Sequence, residues 1–164
     1  NPQVIPSNQQ YYSGNRITME GVDKREAAYV FSIKKKEKAP VLVNSSQPLN
    51  NLLAEKLAEG LRSQGLEVGN SGTTNLTLAI STAAVTVEEK TFTYVTKSKV
   101  SLQVIADFQG NKLTKQFNMS SSKEEPGEPT MADLESTLNQ QLGSVLQQIM
   151  ADEALRGYLK GQPS

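Results

Sequence analysis

From Thr91 to Met119, apolar and polar residues trade places with a period of two. Phe92, Tyr94, Val100, Leu102, Val104, Ala106 and Phe108 share one parity, while Thr93, Lys97, Lys99, Ser101, Gln103 and Asp107 hold the other. Such alternation marks a half-buried β-strand. Gln109-Gly110-Asn111-Lys112 interrupts it, with Gly110 able to adopt the positive φ of a tight hairpin turn, and Leu113, Phe117 and Met119 resume it. The pattern predicts a long antiparallel hairpin whose apolar face needs a cover.

Two helical stripes can supply that cover. Leu49, Leu52, Leu53, Leu57 and Leu61 recur at steps of three and four. Ser45 or Ser46 is placed to cap this helix, Pro48 falls in its first turn and Gly65 suits its left-handed end. The second stripe is Leu134, Leu138, Leu142, Val145, Leu146 and Ile149, entered through Thr130 with Asp133 in the capping-box position. Asp152 is placed to cap a last short helix carrying Leu155, Tyr158 and Leu159.

The remaining segments read as strands and connections. Arg16 to Val22 and Ala28 to Ile33 alternate, with Gly21 as a bulge or exit, and Pro40 to Asn44 is a Pro-led edge strand. Between Asn75 and Glu88 the apolar parity changes from Leu76, Leu78 and Ile80 to Val85 and Val87, which requires a bulge or bend between Ser81 and Ala84. Ser120 to Pro129 reads by composition as a mobile loop. The order predicts an α+β fold, a mostly antiparallel sheet of five to six strands with two helices on one face and a polar opposite face. Residues 1–15 are expected to form an arm or tether and residues 16–164 a single domain.

Composition narrows the chemistry. The 17 basic and 17 acidic residues of this 164-residue chain cancel, so no global field points to nucleic acid. Cys and His are both absent. This removes disulfides, thiolate and imidazole metal ligands, the commonest general base and every Ser-His or Cys-His nucleophile. No apolar run is long enough to span a bilayer. The first residue is Asn1 rather than Met, which fits either a trimmed chain or one preceded by a signal segment or anchor.

No catalytic, cofactor or metal residue is assigned. Ser120-Ser121-Ser122-Lys123 has the Ser-x-x-Lys spacing but lacks the companion motifs of the enzymes that use it. Glu88, Glu89, Glu124, Glu125 and Glu128 lack calcium-loop spacing and read as solvated charge. Lys34, Lys35, Lys36 and Lys38, extended by Lys97, Lys99, Lys112 and Lys115, form the candidate interaction surface for lipid headgroups, phosphates or an acidic partner. The plainer reading is a solvated turn with edge-strand lysines that block aggregation. Asp23 and Arg25 suit a local ion pair, and the Tyr11-Tyr12 pair suits packing of the arm.

Gly21-Val22-Asp23-Lys24-Arg25, the leucine stripe from Leu52 to Val68 with Gly65, and Gly110-Asn111-Lys112-Leu113-Thr114-Lys115 before a C-terminal helix together resemble the YajG-type envelope lipoproteins of Gram-negative bacteria. The likeness covers nearly all of the chain after Arg16, and it rests on the order of these motifs rather than on any one. It implies export to the periplasm, lipidation of an N-terminal cysteine outside this sequence, an outer-membrane anchor and no known activity. The expected role is a non-enzymatic module that binds an envelope protein or component. The alternative is a carrier of lipid or lipopolysaccharide, which would need an apolar cavity between helices and sheet. The edge strand at Pro40 leaves a dimer or strand-addition partner open.

Overall fold

The computed structural model describes residue 12 and residues 16–25, 29–44, 48–69 and 74–160. The other residues, including Ser45, Ser46 and most of the N-terminal arm, lie outside that description. Seven strands make one sheet: β1 (Arg16–Asp23), β2 (Tyr29–Lys34), β3 (Val41–Asn44), β4 (Glu67–Val68), β5 (Thr74–Glu89), β6 (Tyr94–Phe108) and β7 (Asn111–Glu125). The helices are α1 (Leu49–Ser63), α2 (Met131–Ala151) and α3 (Glu153–Lys160).

The 16-residue β5 is the axis of the sheet. One side pairs along its whole length with antiparallel β6, which pairs in turn with β7. The other side takes two strands end to end, both parallel to it: β1 from Ile17↔Thr74 to Asp23↔Ile80, then β2 from Phe31↔Val85 to Lys34↔Glu88. β3 closes one margin antiparallel to β2, as expected of a Pro-led edge, and β4 lies outside β1. The α+β class holds, but the sheet is mixed and has more strands than the pattern predicts. Alternation shows which residues share a face without revealing the direction of a neighbour, so the parallel pairs leave no local mark. The two-residue β4 is too short to show a period.

The change of parity in β5 has the predicted cause. The pairing with β6 slips between Ile80 and Thr82, leaving Ser81 as an extra residue. Leu76, Leu78 and Ile80 before the slip and Ala83, Val85 and Val87 after it all become buried on one side. One unpaired residue thus lets two apolar registers share a face.

Both helices cover that face. α1 buries Leu49, Leu53, Leu57 and Leu61, and α2 buries Leu134, Leu138, Leu142, Val145, Leu146 and Ile149 over Val100, Leu102, Val104 and Ala106 of β6. Each such side chain withdrawn from water contributes roughly 1.5–3 kcal/mol before the entropy of ordering it. Leu155 and Leu159 of α3 join the same core, as does Tyr12, whose amide donates to the Gln64 carbonyl at 3.1 Å. α1 ends as expected: Gly65 has φ 94°, its amide reaches the Arg62 carbonyl and that of Leu66 reaches Leu61. This is a Schellman closure, which only a residue free of the Cβ penalty makes without strain. At its start the N-cap position is Pro48, with no side-chain cap bond. Thr130 and Asp133 form the full capping box of α2.

Three expectations need correction. The hairpin strand begins at Tyr94 rather than at Thr91, and Phe92 stands in the preceding turn, 87% exposed. Ser120–Glu125 is not a loop but the continuation of β7, because Ser121 pairs with Ser98 through their hydroxyls at 2.6 Å and the serines give the strand a neutral, solvated edge. Gly21 is neither bulge nor exit. It lies within β1 directly under α1, where the Asn50 side chain donates to its carbonyl at 3.0 Å.

A Cβ at residue 21 would stand 2.3 Å from the backbone oxygen of Asn50. Gly21→Ala is therefore expected to push α1 off the sheet and cost about 1–3 kcal/mol in denaturant unfolding. Gly127→Ala, with nothing within 4 Å of the added carbon, should change stability by less than about 0.5 kcal/mol.

Candidate functional site

Both long helices lie on one side of the sheet, so the other side is bare among the described residues. The register assigns that open face: Lys97, Lys99, Ser101, Gln103 and Asp107 from β6, Asn75, Thr77, Thr82 and Thr86 from β5, and Lys112, Thr114, Gln116, Asn118, Ser120 and Ser122 from β7. Its centre is an ordered polar row. The Gln116 amide donates to Ser101 Oγ at 2.9 Å and to Asn118 Oδ1 at 3.3 Å, and Ser101 Oγ donates to Asn118 Oδ1. Ser101 is buried despite its position on the open side.

Lys24 joins this face from the break between β1 and β2. Its amide donates to the Ile80 carbonyl at 2.9 Å, and its Nζ reaches Gln103 Oε1 at 3.5 Å. The flanking residues clamp the break. Arg25 Nε and Nη2 donate to the two Asp23 oxygens at 2.9 and 2.7 Å, and the Arg25 amide adds a third bond to Oδ1 at 3.0 Å. The predicted ion pair is present and bidentate. Its hydrogen bonds hold the Asp23 carboxyl below its usual range, against the opposing effect of partial burial.

The eight lysines singled out in the sequence are not brought to one place. Lys34, Lys35, Lys36 and Lys38 gather at one end of the sheet, in and beside the β2–β3 turn. There Lys34 Nζ donates to the Lys38 carbonyl, Lys35 pairs with Glu128 at 2.7 Å, and the Lys36 amide and Nζ bind Glu89 and Thr91. Of these four cations, Lys35 is neutralised by a carboxylate, while Lys34 and Lys36 are held by neutral oxygens. Lys112 sits at the far end beside Asp107 in the β6–β7 register. Lys115 is on the opposite, helix-covered face and pairs with Asp152 at 3.3 Å. Lys97 and Lys99 remain on the open face. The residues directly opposite are Thr86 and Ser122 for Lys97, and Ala84 and Ser120 for Lys99, none of them acidic. Glu88, two positions beyond Thr86 on the same face and lowered mainly by Lys90, is close enough to be lowered by Lys97 as well.

Lys24 and the Ser101–Gln116–Asn118 row were not singled out in the sequence. The alternation of β6 puts Ser101 and Gln103 on the polar parity, but pairing them with particular β7 residues needs the turn register. Lys24 follows a strand and carries no period at all.

The carboxylates do not converge. Glu88 pairs with Lys90 at 3.0 Å, Lys123 with Glu125 at 2.8 Å, and Thr93 donates to Glu124 at 2.8 Å. Glu89 accepts the Lys36 amide and the Tyr94 hydroxyl, which hold it below the usual carboxylate range, and Glu88 is lowered by Lys90. Among the described residues no group of three or more His, Cys, Asp or Glu is placed to hold a metal ion, and no helix is long and apolar enough to cross a membrane. In the Ser-x-x-Lys run, Ser120 and Lys123 lie three residues apart on a strand and so point to opposite faces. A depression along the outer side of α2 is lined by Glu135, Ser136, Asn139, Gln140, Ser144 and Gln147. Those residues are polar, and the leucines between helix and sheet belong to one buried apolar cluster.

The profile of a family described as an uncharacterized lipoprotein matches residues 2–160. The chain belongs to this lipoprotein family. No curated protein matches the sequence. Among solved structures the lipoprotein is similar to XCC0632 from Xanthomonas campestris, with 10% identity over 99% of this chain and 95% of that one and a TM-score of 0.69. It is also similar to an uncharacterized protein at 14% identity, covering 87% and 94% of the two chains, TM-score 0.57. A third likeness is to a Helicobacter pylori protein described as a neuraminyllactose-binding hemagglutinin homolog, at 11% identity, covering 96% and 94%, TM-score 0.54. At these identities the likeness is one of fold.

The Asp23–Arg25 clamp gives a pH dependence of known sign. Because the folded carboxyl is more acidic than the ordinary value of 3.8, its stabilisation is fully present above that value and is lost as pH falls through the lower folded one. Asp23→Asn should flatten the decline of unfolding free energy on acidification below about pH 5, as read by urea unfolding at stepped pH. An unaltered slope would remove the clamp as its source.

Proposed function

We propose that this lipoprotein is a non-enzymatic binding module on the periplasmic face of the bacterial envelope, held at the outer membrane by an N-terminal lipid. The open sheet face engages an anionic envelope component, such as a phosphate-bearing headgroup or lipopolysaccharide, or an acidic protein surface. The observation that carries the reading is the position of Lys97 and Lys99, two cations on one bare face whose directly opposite residues on both adjoining strands are uncharged, with Glu88 at the edge of the patch beside Lys97. Lys24 adds a third charge held in place through Gln103. The ordered amides and hydroxyls of Gln116, Asn118 and Ser101 supply directional donors and acceptors beside them. In a chain with no net charge, this local patch rather than a global field would do the selecting. The absence of His and Cys, and carboxylates each satisfied by their own partner, favour recognition over chemistry.

Each basic residue near an anionic surface contributes on the order of 1 kcal/mol, so Lys97→Gln with Lys99→Gln should weaken binding to vesicles bearing lipopolysaccharide or acidic phospholipid by roughly 30-fold. Binding by the unaltered chain should fall with rising salt. Lys35→Gln, which removes a cation already paired with Glu128, should matter much less. Equal binding to neutral vesicles, or no effect of the double substitution, would sink the reading.

A further inference from the structure

β7 is a 15-residue strand paired on only one side among the described residues, and the charges that usually protect an edge stand only toward its two ends. It contains no proline, its register with β6 is unbroken, and the seven residues from Gln116 to Ser122 carry no charge. Such an edge is a template for another strand.

The β6–β7 turn fixes which groups are offered. Gln109 and Gly110 both have positive φ, 51° and 89°, so Phe108 and Asn111 form the hydrogen-bonded pair that closes a two-residue hairpin. Hydrogen-bonded pairs then recur every second residue, so odd-numbered residues of β7 bond inward to β6. The even-numbered ones, from Lys112 to Glu124, direct their N–H and C=O outward.

We propose that β7 pairs antiparallel with β7 of a second copy of this chain, about a two-fold axis at Asn118, continuing the sheet across the dimer. Three independent features agree on that register. A two-fold perpendicular to the sheet must pass through a residue rather than between two for the outward groups to meet, and at Asn118, which is even-numbered, the axis falls on a hydrogen-bonded pair. It is also the midpoint of Asn111–Glu125, so pairing about it overlaps the strands completely. The same register sets Lys112 opposite the partner's Glu124, placing a cation against a carboxylate at both ends of the seam. On the helix side it sets Phe117 beside the partner's Met119, so that the two cores meet through apolar side chains.

The helix layer leaves room for this. α2 begins after Glu128, which is tied to Lys35 on the β2 side, and ends where Lys115 holds Asp152 and the Tyr158 hydroxyl of α3 donates to the Asn111 carbonyl. The helices therefore cross the sheet obliquely. They cover the first half of β7 and leave Ser121 and Lys123 exposed. The two-fold lays the covered half of each strand beside the bare half of its partner.

The chain has no native cysteine, so single-cysteine variants of the 164-residue protein report the register directly. Asn118→Cys brings its Cα to about 5.5 Å from the partner's, within disulfide range, and should crosslink under mild oxidation. Ser122→Cys, displaced by roughly 27 Å from its own copy, should not. Native mass spectrometry should give twice the monomer mass for the unaltered chain, and Asn118→Lys, which opposes two cations on the axis, should return it to monomer without changing the circular dichroism spectrum. A monomer at every concentration would overturn the proposal. So would a dimer indifferent to Asn118→Lys, or one that crosslinks through Leu42→Cys on the opposite edge rather than Asn118→Cys.

Discussion

The structure depends on keeping one side of β5 dry over 16 residues while the neighbour on its free flank changes from β1 to β2. A regular strand could not meet both neighbours with the same apolar parity, because its own sequence shifts phase between Ile80 and Ala83. Ser81 absorbs the shift. The bulge stands opposite the break between β1 and β2, where Lys24 donates to Ile80 and the Asp23–Arg25 clamp turns the chain aside. Two irregularities on adjacent strands thus share one location. The large buried side chains of β5 then face α1 and α2, and the lysine-bearing face is left to solvent.

Most of this frame was legible where burial is one-sided. The leucine stripes, the Gly65 closure, the Thr130 capping box, the turn at Gly110 and the bulge all follow from a local period or a residue with restricted backbone freedom. What escaped was non-local or compositionally disguised. Parallel docking of β1 and β2 leaves no trace in alternation, and Ser120-Ser121-Ser122 has loop composition although Ser121 closes on Ser98 within the sheet. Gly21 reads in sequence as a bulge or exit, but what requires a glycine there is the α1 backbone at Asn50, twenty-nine positions along the chain.

The candidate surface was less readable, because charge counts only after its neighbours are known. Of the four lysines at the β2–β3 turn, Lys35 is paired with Glu128 and Lys34 and Lys36 are held by a main-chain carbonyl and the Thr91 hydroxyl, and Lys115 belongs to the helix side. Lys97 and Lys99 look unremarkable in sequence, yet the register sets only Thr86, Ala84, Ser120 and Ser122 directly opposite them, with Glu88 touching the field of Lys97 alone. Cross-strand pairing, not local density, decides where a field emerges.

The parallel docking of β1 also bears on how the chain reaches this state. β5, β6 and β7 form a meander of contacts close in sequence, and α2 follows immediately, so this half can assemble with little loop-closure entropy. Ile17 meets Thr74 only after α1 and its flanking segments are enclosed between them. The amino-terminal strands are thus the last and most costly addition in chain entropy, and until they arrive both flanks of the meander stand open. The segment first in the chain is the one whose folding waits on all the rest.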